Sequence, residues 1–283
     1  MELKSLMQSS PQNNDPLVSI CIPTFNAEKY IKKTINSIVN QSYKNIEIII
    51  LDDCSTDSTM KMIGSIDDLR IKVFQNESNL GPQKTWSKLI DLAEGSFFKI
   101  VCHDDVLYEE CVAVQVNMLV ENDRAVLVAS NRDVIDKDGR VVFSPARFRK
   151  DMRVSGGKLL QSCLRKGTNL IGEPHAVMVR LDVIRDANIR FEGNFYLIDL
   201  EFYSKLLLLG DAFILSRRLS AFRVYRETAS YQLSRSQAAC FVEFSKNIRS
   251  GGVIRISLFD YWLGNTMSLY NQTLRYIFYK IFL

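Results

Sequence analysis

The apolar segment Phe97-Phe98-Lys99-Ile100-Val101-Cys102 runs directly into His103-Asp104-Asp105. A run that short, set between two helical patterns, reads as a buried parallel strand. Ending it in adjacent carboxylates is costly, because like charges repel and lose hydration near a core. A divalent cation removes that cost, and α/β proteins place ligand chemistry at the carboxyl ends of strands. The plain alternative is a solvated loop start that is acidic, and the pair alone does not separate the two. Asp52-Asp53 closes a second apolar run just before Cys54-Ser55-Thr56-Asp57, and Asp199 follows Phe195-Tyr196-Leu197-Ile198 at the head of a leucine-rich helix. Each has a structural reading as well, since Asp52, Asp57 and Asp199 all suit a helix start. Glu201 lies four residues before Lys205, the spacing of an ordinary surface ion pair.

Other chemistries lack their residues. The first strand is followed by Pro23-Thr24-Phe25-Asn26-Ala27-Glu28 and not by G-x-G-x-x-G, and there is no G-x-x-x-x-G-K-[ST] phosphate loop. No G-x-S-x-G elbow is present. His103 and His175 have no zinc-type spacing. What remains is carboxylate–metal chemistry on a parallel sheet, with a separate carboxylate available as a base.

The elements that must position these residues alternate through the first half. Leu17 to Ile22 reads as a strand, followed by a helix from Ala27 to Asn40 that Asn26 is placed to cap. Ile46 to Leu51 is a second strand, with a helix opening behind Ser55 and closing at Gly64. Ile71 to Phe74 is a third, and Gly81-Pro82 starts a helix that runs to Glu94 with Gly95 as its stop. The segment ending at Cys102 is the fourth strand. This order predicts an α/β fold, a mostly parallel central sheet flanked by helices. The second half changes character: a strand over 125–130, a hairpin turn at Asp136-Lys137-Asp138-Gly139, helices over 155–165 and 199–209, and strands near 175–179, 212–215 and 219–224. These predict added antiparallel strands and the second wall of a cleft.

At 283 residues, 47% apolar and 24% charged, the chain suits one large globular domain or a domain with a small appendage. A formal charge of +4 without a dense Lys/Arg block argues against a nucleic-acid partner. The six cysteines form no C-x-x-C pair or ladder, which suits a reducing compartment. The polar start from Met1 to Pro16 has no signal-peptide core, and no apolar stretch reaches the roughly 18–20 residues that span a bilayer. The expected location is the cytoplasm, including the inner face of the membrane.

In order along the chain, these pieces resemble the family-2 glycosyltransferases, inverting enzymes with the A-type nucleotide-sugar-binding fold. The resemblance rests on Val18 to Asn26, Ile49 to Asp57, Asn79-Leu80-Gly81, Ala93-Glu94-Gly95, His103-Asp104-Asp105, Ile198 to Glu201 and Phe222-Arg223-Val224-Tyr225. It implies a flexible segment over 1–16, a transferase domain over 17–230 and a helical extension over 231–283. Within the domain, 17–106 would bind nucleotide and 107–230 would face the acceptor. Pro23, Thr24 and Glu28 would lie at the nucleotide, and Asp53 would hydrogen-bond its base, typically uracil. Asp104 would hold the ribose or metal, Asp105 would coordinate Mn2+ or Mg2+ on the donor diphosphate, and Asp199 would be the general base. Glu173 and His175 are acceptor-side candidates. The implied reaction moves a sugar from a UDP-type donor to a hydroxyl of a glycan or lipid-linked oligosaccharide. The rivals are a sugar-phosphate nucleotidyltransferase, which would need a Gly-rich basic loop after the first strand, and a non-catalytic nucleotide-binding scaffold.

Two positions depart from the family pattern. Tyr225 stands where many members have histidine near the metal or diphosphate, and His103 precedes the acidic pair where a small residue or acid is usual. His103 would orient Asp105, contact the ligand or simply pack. In the tail, Leu263, Met267, Tyr270, Leu274, Ile277 and Ile281 make one apolar helical stripe. Three readings of it stand: packing on its own domain, a homo-oligomer contact, or a peripheral membrane contact.

Overall fold

The computed structural model describes residues 15–252 and 254–282, so most of the expected 1–16 segment lies outside the described residues. Strands β1 (Val18–Thr24) and β2 (Ile46–Asp52) are buried along their whole length, as their near-continuous apolar runs require once helices cover both faces. Helix α1 (Ile31–Val39) buries Ile31, Thr34, Ile35 and Ile38 along one stripe. Next come α2 (Thr59–Ile63), the edge strand β3 (Ile71–Gln75), α3 (Pro82–Leu92), β4 (Phe97–Ile100), the short β5 (Val106–Leu107) and α4 (Cys111–Glu121). The second half holds β6 (Ala125–Ile135), β7 (Val141–Phe143), β8 (Met152–Val154), α5 (Gly156–Lys166), β9 (Val177–Arg180), α6 (Leu181–Asp186) and α7 (Ile198–Leu207). It ends with β10 (Asp211–Arg223), α8 (Ala229–Gln232), α9 (Gln237–Ser250) and α10 (Leu258–Phe282).

The ten strands of the described residues form one sheet in the order β3-β2-β1-β4-β9-β6-β10-β5, with β7 on β6 and β8 on β10. Pairs among β1, β2, β3 and β4 are parallel, as is β6 with β10, whereas β9 runs antiparallel to both of its neighbours. The fold is therefore the expected α/β class. The chain leaves β1 toward β2 on one side and reaches β4 on the other, so a crevice opens at the carboxyl ends of these strands. The Asp136–Gly139 hairpin joins β6 and β7 as expected.

Several local expectations are corrected. Asn26 does not cap α1: it adopts φ 48°, and its Oδ1 accepts from Thr56 N–H at 2.9 Å, tying the β1 and β2 loops together. The helix consequently begins at Ile31. Helix α2 starts only at Thr59, because Asp52 and Asp57 hold the preceding loop through Ser55 and Thr59. The strands expected near 212–215 and 219–224 are one strand, β10, interrupted by register shifts between Leu215 and Ala221. Glu201 does not pair with Lys205. Its carboxylate accepts from Asn194 N–H at 3.0 Å, while Lys205 meets Glu192 at 2.7 Å.

Candidate active site

A cavity of about 750 Å³ opens at those strand ends, lined on one side by Pro23, Thr24, Glu28, Asp53 and Asp104, and on the other by Glu173, Tyr196, Asp199 and Phe222. The donor and acceptor residues expected from two distant stretches of sequence thus face a single space.

On the first of these walls, Asp53 and Glu28 are held largely by backbone donors. Asp53 accepts from Asn76 Nδ2 and Leu80 N–H, both at 2.8 Å, and from Gly81 N–H at 2.9 Å, which fixes the loop leading into α3. Thr24 is buried and donates to Leu51 O and Asp52 Oδ1. Glu28 accepts from Ser58 N–H at 2.9 Å, and its own N–H donates to Asp57 at 3.2 Å. Lys88, a helix lysine after Gly81, donates to Asn76 Oδ1 at 2.8 Å. A cation that the sequence reading passed over is Lys29, whose Nζ lies 5.4 Å and 5.3 Å from the ring centroids of Tyr30 and Tyr225.

The acidic pair splits into two different environments. Asp105 is 1% exposed, its Oδ1 accepts from Arg223 N–H at 3.1 Å, and its Oδ2 lies 2.7 Å from Nδ1 of the fully buried His175. The expectation that Asp105 holds the cation therefore meets a nearly fully buried carboxylate on the cavity wall, with Oδ1 bonded and Oδ2 close to His175 but without a hydrogen bond of good geometry. Asp104 is only half-buried; Tyr225 O–H donates to its Oδ2 at 3.0 Å, and its own backbone N–H also bonds the carboxylate. Burial pushes the Asp104 carboxyl above its ordinary range, His103 offsets part of that, and Asp105 adds to it. A bound cation would relieve such a cost. Arg223 locks the loop from beneath, donating from Nε to Asp104 O at 2.8 Å and from Nη1 to Asp136 O at 3.0 Å.

His175 does not line the cavity. It stacks on Phe222 at 5.9 Å and stands behind Asp105, the place the sequence reading offered to His103. A buried carboxylate needs such a partner. His103 lines the cavity instead, with its carbonyl accepting from Thr34 Oγ1 at 2.8 Å. Neither His175 nor Arg223 could be placed from spacing, because each contact with Asp105 joins segments far apart in sequence.

On the opposite wall, Asp199 lies in the first turn of α7. Its Oδ1 accepts from Leu200 N–H at 2.7 Å and its Oδ2 from Asn169 Nδ2 at 2.9 Å. Burial pushes its carboxyl up to about 7, with the Glu173 charge adding to the rise and both hydrogen bonds opposing it. Glu173 behaves oppositely. Burial would raise it, but the Arg132 and Arg147 guanidiniums hold it well below the usual carboxylate range. It is bidentate to Arg132.

No group of three or more His, Cys, Asp or Glu side chains gathers into a metal cage among the described residues. The donor set fits a cation that brings most of its own ligands, as Mg2+ does when it retains water and binds substrate phosphates through one or two carboxylates. Asp104 is the side chain so placed.

The sheet order and the crevice at the strand ends are those of the A-type glycosyltransferase fold. The family model for glycosyl transferase family 2 matches residues 19–187, more than half of the chain, and the protein belongs to that family. It is 29% identical over 150 residues to the Escherichia coli UDP-Glc:alpha-D-GlcNAc-diphosphoundecaprenol beta-1,3-glucosyltransferase WfgD, covering 53% of this chain and 57% of that one. The chain spans 52% to 62% of the length of three curated relatives it matches, this one included. Among solved structures, Staphylococcus aureus TarS 1-349 in complex with UDP-GlcNAc superposes with a TM-score of 0.66 at 23% identity, covering 82% of this chain and 66% of that one. The mannosyltransferase PcManGT from Pyrobaculum calidifontis, in complex with GDP-Man and Mn2+, gives 0.62 at 16% identity, covering 90% and 69%. At these identities the structures establish the shared fold.

Proposed function

We propose that the chain transfers a sugar from a UDP-linked donor to a hydroxyl of a glycan or lipid-linked oligosaccharide, with inversion at the anomeric carbon and with Mn2+ or Mg2+ assistance. The observation that carries this reading is Asp199, a cavity-wall carboxylate pushed up to about 7 and ion-paired to nothing among the described residues. A base with that pKa takes a proton efficiently near neutral pH. Glu173 beside it is held ionised by its arginines, so it is a far weaker proton acceptor. One base suffices when the acceptor oxygen attacks the anomeric carbon on the face opposite the leaving diphosphate. Bond formation and bond cleavage then occur across that carbon, the hydroxyl proton goes to Asp199, and the configuration inverts.

The donor assignment follows the same wall. Pro23 and Thr24 would border the nucleotide, Glu28 would edge it, and the Asp53 carboxylate would meet the base. The UDP-sugar named for TarS and the UDP-Glc named for the Escherichia coli relative support a uridine donor. Asp104 would hold the cation, with Asp105 keeping its loop in place. When bound, a divalent cation stabilises the charge developing on the leaving diphosphate as a Lewis acid. Lys29 adds a fixed positive charge at the same mouth. Glu173 would face the acceptor, and His175 would serve it only indirectly, through Asp105.

Calorimetric titration of UDP with and without Mn2+ tests the donor side. The intact protein should bind UDP at least about tenfold more tightly with Mn2+, and Asp104→Asn should lose that gain. A gain retained in Asp104→Asn would overturn the metal assignment. Absence of UDP binding under both conditions would overturn the donor itself.

A further inference from the structure

Helix α10 is amphipathic the wrong way round for a helix in water. Its buried residues are Gly264, Asn265, Ser268 and Tyr279, and this small and polar face lies against α5 and α9. Hydrogen bonds tie it down: Ser245 Oγ donates to Asn265 Oδ1 at 2.9 Å, Ala238 N–H donates to Gln272 Oε1 at 2.9 Å, and Asn271 Nδ2 donates to Lys166 O at 2.8 Å. The large apolar side chains point the other way. Phe259, Trp262, Leu269, Leu274, Ile277 and Ile281 are each between 46% and 69% exposed. At about 100° per residue they share one arc with Thr266, Thr273 and Lys280, and the arc holds no carboxylate. Asp260, the only acid of α10, turns away to Arg165 at 3.5 Å.

The geometry points to an anionic lipid surface as what covers this face. Charge selects that occupant. Within residues 231–283, Arg235, Lys246, Arg249, Arg255 and Lys280 are exposed, against Glu243 and Asp260 as the acids of that stretch. Exposed cations edge the apolar arc at Tyr276: Lys280 Nζ sits 4.9 Å from its ring centroid, and Arg235 also lies against that ring. Aromatic rings capped by cations beside an apolar stripe suit the headgroup boundary, where the rings insert and the cations meet lipid phosphates. None of the described helices is long and apolar enough to cross a bilayer, so α10 lies on the surface. A second copy fits less well, because a two-fold contact sets the same cation-edged face against itself with no acid to pair. The inward face also carries Arg275 to the hydroxyl of Tyr196, a cavity-wall residue. The lipid-seated helix therefore braces the acceptor wall.

The test is flotation of the full chain with vesicles of phosphatidylcholine alone or mixed with phosphatidylglycerol. Binding to the phosphatidylglycerol vesicles should be at least about tenfold stronger and should weaken as salt is raised. Trp262→Ser with Ile277→Ser should lower it by about tenfold or more while the melting temperature and UDP affinity stay unchanged. Arg235→Glu with Lys280→Glu should remove the lipid-charge preference, which gives a second reading if the first pair perturbs folding. Equal flotation of intact and variant proteins, or no binding to phosphatidylglycerol vesicles, overturns the inference. So does a dimer in solution that Trp262→Ser with Ile277→Ser converts to monomer, since the face would then belong to a second copy. UDP affinity is read separately, so failure here leaves the sugar-transfer reading standing.

Discussion

Asp199 carries two opposite demands that one substitution separates. Its folded pKa of about 7 lies above the ordinary carboxylate value of 3.8, so the fold favours the protonated form. The sign follows directly: the group costs nothing below about pH 4, and the cost grows as pH rises toward 7 and persists above it. A shift of this size is worth up to roughly 4 kcal/mol. Asp199→Asn keeps one acceptor oxygen and loses one hydrogen bond, which returns about 1 kcal/mol of that. The variant should therefore melt higher than the parent at pH 8 by a net gain of roughly 1–3 kcal/mol, and should lose that advantage at pH 4. Donor affinity should be unchanged, with transfer reduced on the order of 100- to 10,000-fold. In the parent, kcat/KM should rise with pH to a plateau above about 7. A variant that transfers sugar at a near-parental rate would put the base elsewhere. That Asp53, Asp104 and Asp199 would stand at a common cleft was legible in the sequence, because each sits at the end of a patterned element. The support given to Asp105 by His175 and Arg223 could not, since spacing says nothing about partners on other strands.

Packing of α10 on α5 is the element-scale counterpart. A Cβ added at Gly264 would stand 1.9 Å from Leu164 O, and one added at Gly167 would stand 2.4 Å from both Gly264 O and Ser268 N. Two backbones approach here as closely as glycine allows. Gly264→Val must lift α10 from α5, and backbone atoms have no rotamer by which to yield. The variant should lose on the order of 2–4 kcal/mol of stability, and trypsin should cut within 254–282 faster than in the parent. Strand content by circular dichroism should persist. An unchanged melting temperature together with an unchanged cleavage rate would show that the contact is dispensable. The helical period of the tail was legible, but its orientation was not. A periodic apolar stripe is normally the buried one, and here the buried stripe is the small and polar one, selected by the close approach at Gly167 and Gly264. The same limit applied at Asn26, whose left-handed backbone turned a cap-like residue into a bridge between loops.

At the scale of the molecule, residues 17–106 and 107–230, proposed to serve donor and acceptor, are joined through the centre of one sheet. The alternation of strands and helices announced the parallel half, because βα repeats leave few other arrangements. Insertion of β9 between β4 and β6 was not announced, since antiparallel strand order depends on long-range pairing. That insertion brings the turn at His175 against β4, and a buried lysine secures it. Lys99, 1% exposed on β4, donates from Nζ to Gln115 Oε1 at 2.9 Å, His175 O at 2.6 Å and Val177 O at 3.2 Å. Burial lowers its pKa, so its three acceptors offset the cost of keeping an ammonium there. Lys99→Met preserves length and apolar stem but takes the ammonium donor from His175 O and Val177 O, while Gln115 Oε1 keeps Cys111 Sγ at 3.7 Å. Each such orphan costs about 1–3 kcal/mol, and relief from burying a charge returns part of the sum. The expected net loss is roughly 2–4 kcal/mol, read as a fall of several degrees in Tm. Lys99 does not line the cavity, yet the peptide it holds carries the imidazole that faces Asp105. Loosening that peptide should also weaken UDP binding in the presence of Mn2+ more than in its absence. A variant with the parental Tm would show that the lysine is not the tie between the halves. A variant that melts lower but binds UDP with undiminished Mn2+ dependence would confine Lys99 to stability and detach it from the acidic pair.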